Sequence, residues 1–550
     1  LKKWLTAYPL QRRLKLLIEG VVHSRWQVVI GHHSQVILLL LPTRRPLPAL
    51  IQHQPRKIPM PITDYTTAKT IGELRASGYG ERSIKDEMRD NLIRKLNQNE
   101  PVFSGIVGYD RTVIPELINA LLSRHDFILL GLRGQAKTRI LRTLPLLLDE
   151  QVPIIKGCEI NSHPYTPISK HARDLVAEHG DHTPIEWIGR EQRYGEKLAT
   201  PDVTISDLIG DVDPIKAAAQ RLHYAHEGVI HFGIIPRMNR GIFAINEVPD
   251  LQPRIQVGLL NIMEEKDIQI RGFPIRIPLD VLIVFSANPE DYTNRGSIIT
   301  PLKDRIDSQI LTHYPVNREY ALAITDQEAW IDRPDEIQVE IPTYLREIIE
   351  EIAFQARDSE FIDQKSGVST RMTIAAIENL ISNVEKRGIL QHQQQVVARL
   401  CDMNAIVPAM TGKLELVYEG EQQGEVNVAE VLIGRAVKAI FLQHFPDAYE
   451  ADNTEVGEQS YYQDILGWFE EGNKVALSDT TDDEAFHKTL SQVNGLTQIA
   501  DRHIKTNSPA EHAVVMEFIL EGLHQNSRLS KNMADGLRSY SDMMGSIFDK

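Results

Sequence analysis

At 550 residues, 42% hydrophobic and 25% charged, the chain is long enough for roughly two to four domains with ordinary cores, and its longest apolar run, 36–41, is far too short to cross a bilayer. Two cysteines, Cys158 and Cys401, exclude a disulfide framework and point to a reducing cytoplasm. The net charge of −15 divides into +9 over residues 1–59 and −24 over 60–550, and an acidic body of that size repels phosphate backbones, which disfavours broad nucleic-acid binding.

Residues 1–59 contain no methionine, are rich in Arg, His, Gln and Pro, and lack clear periodicity. They read as an upstream extension ahead of a start at Met60, with a basic tail or targeting segment as the alternative; no secretory leader is legible. Residues 60–100 are helical, with Ile84, Met88, Leu92 and Leu96 at intervals of four. From 101 to 315 apolar runs recur at 127–130, 152–155, 242–245, 282–285 and 309–311, separated by helical segments. Near-continuous apolar strands alternating with helices imply an α/β domain whose parallel sheet is covered on both faces. Helical patterns at 317–331, 343–358, 371–387, 391–407 and 427–443 then predict a small all-α domain over 316–445. The acidic stretch 446–485 reads as a linker, and 486–550 as a helical C-terminal region.

The run Phe127-Ile-Leu-Leu-Gly131-Leu-Arg-Gly134-Gln135-Ala136-Lys137-Thr138-Arg139 passes from a buried strand into a helix. A phosphate chain needs inward N–H groups, no Cβ in the way and a helix N-terminus behind it. Gly131 and Gly134 allow the curl, Lys137 supplies a point charge to the phosphates, and Thr138 offers its hydroxyl to Mg²⁺. Ala136 stands where glycine is usual.

Downstream, Gly241-Ile-Phe-Ala-Ile-Asn246-Glu247 is an apolar strand with a polar tip. Phosphate-loop ATPases place an Asp there to hold the metal; Asn246 brings an acceptor oxygen but no charge, while Glu247 is the candidate base. A second such strand ends in Asn288, suited to hold the water or the γ-phosphate. Arg305, before the last strand, suits a finger donated to a neighbouring subunit. Arg371 opens a helix of the α domain and suits a reach back to the γ-phosphate; a surface cation is the alternative.

Five elements in this order resemble an AAA+ ATPase. The segments Ile155-Lys-Gly-Cys158-Glu-Ile-Asn161-Ser-His-Pro164-Tyr, Leu208-Ile-Gly-Asp-Val-Asp-Pro-Ile and Phe232-Gly-Ile-Ile-Pro-Arg237-Met-Asn-Arg240-Gly-Ile-Phe are similar to the motor subunit (subunit I) of magnesium chelatase, and Ala136 before the lysine is similar to the MoxR ATPases. The resemblance spans roughly 100–440. It implies an AAA+ P-loop core with a five-stranded parallel sheet, an all-α lid domain and a helical C-terminal extension. It further implies ATP and Mg²⁺ as ligands, Ile106 and Val107 at the adenine, a homo-oligomeric ring, commonly a hexamer, and a von Willebrand A-domain partner. Residues 200–236 form an expected insertion, and 267–277 an expected hairpin around Gly272-Phe-Pro274.

Cys158, His163, His171, His179 and His182 match no zinc spacing and read as structural or solvent-facing. Tyr461, Tyr462, Trp468 and Phe469 read as the core of a helical unit, with a docking patch as the alternative. The functional expectation is a cytoplasmic, ATP-hydrolysing ring subunit that remodels a partner protein or inserts metal. The alternatives are a magnesium chelatase subunit acting on protoporphyrin IX, a nucleotide-gated scaffold with weak hydrolysis, and a nucleic-acid motor.

Overall fold

A computed structural model describes residues 65–220, 227–270, 276–289, 296–333, 337–448, 461–534 and 537–543. The expected extension at 1–59, the start at Met60, the hairpin tip at 271–275 and the acidic stretch 449–460 lie outside the described residues.

Helix α1 (Ile84–Asn97) begins where Ser83 Oγ accepts the Asp86 N–H at 3.1 Å. Its period-four residues Ile84, Met88 and Leu92 are buried in one cluster with Val113 and Leu117 of α2 (Val113–Leu122), while Leu96 stays 39% exposed.

The central sheet has five parallel strands. In chain order they are β1 (Phe127–Leu130), β4 (Tyr194–Leu198), β7 (Gly241–Asn246), β10 (Val281–Ala287) and β11 (Ser308–Leu311); in space the order is β11-β1-β10-β7-β4. Alternate residues along each central strand serve opposite faces. Ile128, Phe243, Ile245, Ile283 and Phe285 enter one core, and Phe127, Leu129, Ile242, Ala244 and Val284 enter the other. Helix α3 (Lys137–Thr143) follows β1, and α4 (Pro253–Glu264) and α5 (Thr300–Arg305) flank β10 in sequence.

One strand of the expected sheet lies outside it. The run 152–155 falls in β2 (Gln151–Ile155), which pairs antiparallel with β3 (Ile185–Gly189) in a separate ribbon. The fifth strand is β4, whose sequence Tyr-Gly-Glu-Lys-Leu is half-exposed at the sheet edge and carries no apolar run. Within the expected insertion, β5 (Gly210–Val212) and β6 (Ile230–Phe232) pair antiparallel. The expected hairpin is present as β8 (Asp267–Gln269) against β9 (Arg276–Pro278).

The lid comprises α6 (Arg318–Glu328), α7 (Thr343–Arg357), α8 (Arg371–Gln391) and α9 (Glu425–His444). It is helical but not all-helical, because β12 (Gln338–Glu340) and β13 (Gln395–Val397) form a parallel pair. The expected helix at 391–407 is therefore interrupted: His392, in the left-handed conformation (φ +55°), ends α8, the β-branched Val396 and Val397 enter the strand, and helix resumes only at Leu400–Ile406, as a 3₁₀ helix.

The described part of the expected linker is folded. Helix α10 (Gln463–Glu470) and β14 (Val475–Leu477) bury Tyr462, Ile465, Phe469, Val475 and Leu477 in the same core as the lid helices. The aromatic cluster is thus core, with Trp468 packed at its margin. The helical C-terminal region follows as α11 (Asp483–Leu490), α12 (Leu496–His503) and α13 (Pro509–Gln525), to which β15 (Ser530–Ala534) and β16 (Leu537–Ser541) add a three-stranded antiparallel sheet with β14. Helix α13 is buried on all sides and carries Glu517 and Glu521 into the interior. No helix among the described residues is long and apolar enough to cross a membrane.

Candidate active site

The loop between β1 and α3 is shaped from outside by hydroxyls. Tyr314 donates to the Arg133 carbonyl at 2.8 Å, Thr370 to that of Gly134 at 2.8 Å, and Tyr109 to that of Gln135 at 3.1 Å. In a trans peptide the next N–H points opposite to the carbonyl, so the N–H groups of Gly134, Gln135 and Ala136 face the other way, into the cradle. Burial pushes the phenols of Tyr109 and Tyr314 up to about 12, which keeps both protonated as donors.

A Cβ at Gly131 would run into Thr312 and Gln135, and one at Gly134 (φ +74°) into Ser369. Gln135 is itself buried and accepts from Thr312 Oγ1 at 2.8 Å. Ala136 sits at φ +55°, a left-handed position before the first turn of α3. The Lys137 ammonium is buried and donates to the carbonyls of Gly131 and of Leu132, the latter at 3.0 Å. A buried ammonium held on the loop, beside N–H groups turned away from the clamped carbonyls, fits a polyphosphate such as that of ATP. Thr138, half-buried on the first turn of α3, and the Asn246 carbonyl oxygen are hard donors that fit Mg²⁺ and its waters.

The lid closes over the loop. Ser369 and Thr370 contact Gly134, which brings Arg371, exposed at the start of α8, to the rim of the cradle. Loop residue Arg133 pairs with Glu415 at 2.6 Å. Arg139 pairs with Glu328 of α6 and lies beside Gly105. Gln327 donates to the Gly105 carbonyl at 3.0 Å, and Gly108 packs on Tyr320. Buried Ile106 and half-buried Val107 therefore lie in a segment bracketed by α3 and α6, next to the loop.

At the tip of β7, Asn246 is buried. Its Oδ1 accepts from Ser286 Oγ at 2.8 Å, and its Nδ2 donates to Glu196 Oε1 at 2.8 Å. Glu247 follows at φ +54°, a strained position for a residue with a side chain, and its N–H donates to Ser286 Oγ at 3.4 Å. Asn288 is one residue past Ala287, which pairs with Leu130, so it stands beside the start of the loop. These side chains gather at the carboxyl ends of adjacent parallel strands, where open α/β sheets hold their ligands.

Arg305 is placed otherwise. Within this protomer it is held by Glu264 of α4, with Nε to Oε2 at 2.8 Å, and Nη1 donates to the Pro301 carbonyl at 3.0 Å. Neither contact belongs to the cradle.

Sequence reading missed Glu196, Ser286, Thr312, Tyr109 and Tyr314. Glu196 alone carried a signal, a glutamate on the same strand face as Tyr194 and Leu198; the others act through hydroxyls, whose partners no spacing reveals. The Arg142 hydrogen bond, opposed by partial burial, holds the Glu196 carboxyl below its ordinary range. The histidine segment is structural where it is described. Cys158 bonds Ser162 and Ser169, His171 contacts the Lys156 carbonyl at 3.2 Å, and His163 stacks on Tyr79. Burial, and then Arg240, hold His163 down to about 3.

No protein-family model matches the sequence, and no curated protein matches it. Solved structures do. A candidate ATPase of Cytophaga hutchinsonii is 18% identical over 64% of this chain and 95% of its own, with a TM-score of 0.27. The complex of subunits BchI and BchD of magnesium chelatase gives 18% identity over 58% and 98%, at 0.31. NtrX of Brucella abortus bound to ADP gives 13% over 56% and 54%, at 0.30. The strand order β11-β1-β10-β7-β4, with the loop after β1 and a lid bonded to that loop, gives this chain the fold that the AAA+ resemblance implies.

Proposed function

We propose that the chain is an ATP-hydrolysing subunit of a homo-oligomeric ring, commonly a hexamer in this fold, that remodels a partner protein or inserts metal in the cytoplasm. A von Willebrand A-domain protein is the partner that the sequence resemblance suggests. What supports the reading is that Thr370 bonds the Gly134 carbonyl, that Ala287, just before Asn288, pairs with Leu130 at the start of the loop, and that Asn246 bonds Ser286 on that same strand.

The division of labour follows from the positions. Backbone N–H groups and Lys137 bind the phosphates, and the segment around Ile106 and Val107 takes the base. Bound Mg²⁺, held through Thr138 and Asn246, supplies positive charge to the phosphate oxygens. Glu247 accepts a proton from the attacking water, and Asn288 orients that water. Arg305, from a neighbouring copy, stabilises the charge that develops, and Arg371 couples the lid to the γ-phosphate.

Glu247→Gln tests the reading. It should bind a fluorescent ATP analogue as tightly as the parent and release phosphate at least about a hundredfold more slowly. Equal phosphate release by the two would sink the hydrolytic reading. The nucleotide-gated scaffold would take its place, favoured by Asn246, which lacks charge and already accepts from Ser286.

A further inference from the structure

The loss of a carboxylate at Asn246 coincides with the presence of one next to it. Glu196 lies on β4, the strand that neighbours β7, and its Oε1 takes the Asn246 Nδ2–H at 2.8 Å. Three other donors converge on that carboxylate: Arg142 Nε on Oε2 at 2.8 Å, Arg142 Nη2 on Oε1 at 3.0 Å, and the Tyr194 hydroxyl on Oε2 at 3.2 Å. Arg142 is 64% exposed and screened by solvent, whereas Glu196 is 21% exposed. Arg142 lies one helical turn after Thr138 on α3, so the group spans the loop helix and two sheet strands.

An amide has two faces, an oxygen and an NH₂, and an unclamped asparagine presents either. Here the NH₂ is fixed on a carboxylate. The carbonyl oxygen is thereby turned to Ser286, with one lone pair left after that bond for a further partner. A charge-assisted bond to the NH₂ also draws electron density toward the oxygen.

We infer that Glu196 is a positioning residue for the metal shell: it fixes and polarises Asn246, so that the pair does the work of the single carboxylate other phosphate-loop ATPases carry on this strand. The inference rests on the ATP-binding reading above and adds to it where the missing negative charge has gone.

The test is the Mg²⁺ dependence of nucleotide binding, read with a fluorescent ATP analogue in Mg²⁺ and in EDTA. Glu196→Gln should lower the Mg²⁺-dependent part of the affinity about tenfold, as loss of an outer-shell partner does, and leave the EDTA affinity unchanged. Adding Asn246→Asp to Glu196→Gln should return the Mg²⁺-dependent affinity to within about threefold of the parent, because the carboxylate is back at the strand tip. Thermal melts of the nucleotide-free variants check that each is folded. If Glu196→Gln keeps the parent's Mg²⁺ dependence, or the double variant is no better than Glu196→Gln, the inference is overturned while the ATP-binding reading stands. If the folded parent binds no nucleotide in either buffer, that reading fails and takes the inference with it.

Discussion

The Thr370 hydroxyl donates to the Gly134 carbonyl at 2.8 Å, so the first corner of the lid's longest helix is bonded to the phosphate-loop backbone 236 residues away. The lid and the loop therefore share a contact that a phosphate would sense from its other side. Thr370→Val removes the bond and keeps the shape. It should cost about 1 kcal/mol in urea unfolding. Turnover should fall about five- to tenfold with nucleotide affinity altered less, a coupling of the usual allosteric size. An affinity loss as large as the turnover loss would mean that the contact only shapes the loop.

Ala136 occupies a backbone position that suits glycine, at φ +55° and ψ 14°. A Cβ in the left-handed region costs about 1–2 kcal/mol. Ala136→Gly should raise stability by up to about 1 kcal/mol, the strain relief being partly offset by the entropy of the unfolded glycine. The midpoint of chemical denaturation reads this out. A lower midpoint would show that the alanine methyl makes a packing contact of greater worth.

Arg305 is bound to Glu264 in its own protomer. The pair is partly exposed and is worth less than about 1 kcal/mol, little enough to be exchanged for a phosphate in a neighbour. Arg305→Ala should retain ATP binding and lose turnover by about a thousandfold. Mixing it with Glu247→Gln subunits should restore part of that turnover, because a Glu247→Gln subunit lends its intact arginine to an intact glutamate next door. Absence of complementation in rings that demonstrably mix would place Arg305 outside the neighbour's site.

Glu517 is enclosed by the lid and C-terminal helices, and its oxygens accept the N–H groups of Leu400 and Cys401, each at 2.8 Å. Burial pushes its carboxyl up to about 7, against the pull of Arg538, Arg399 and the Leu400 amide. A folded-state value above the unfolded one favours the protonated form on folding. The stabilisation is full below the unfolded value of 4.5 and is lost as pH rises through about 7. Glu517→Gln cannot titrate, so the parent should lose about 1–3 kcal/mol relative to it between about pH 5.5 and about pH 8 in paired urea curves. Parallel curves would show that the backbone donors outweigh burial.

The site was legible where chemistry is written in consecutive residues. Gly131 to Thr138, Asn246-Glu247 and Asn288 each lie at the end of a strand that is buried throughout and, Ser286 apart, apolar up to its tip, and burial on both sheet faces favours that pattern. Partners were not legible. Val152 and Ile242 look alike in a sequence because both are buried, yet one pairs antiparallel in a ribbon and the other parallel in the sheet. Edge strand β4 hid because half-exposure permits Glu and Lys. The C-terminal strands hid for the same reason, with polar sequences such as Leu-Arg-Ser-Tyr-Ser and only every second residue of β16 buried. Glu196 was overlooked because its one signal, alternation with Tyr194 and Leu198, lies on a strand with no apolar run to mark it.

Phe518 of α13 lies against three aromatic rings of the lid: stacked on Tyr344 at 4.8 Å, and edge-on to Phe445 at 5.8 Å and Phe441 at 5.9 Å. A chain cut after residue 445 would leave those rings facing water as one greasy wall. Such a fragment would self-associate rather than report on the nucleotide cradle, because the lid and the C-terminal region share one buried core.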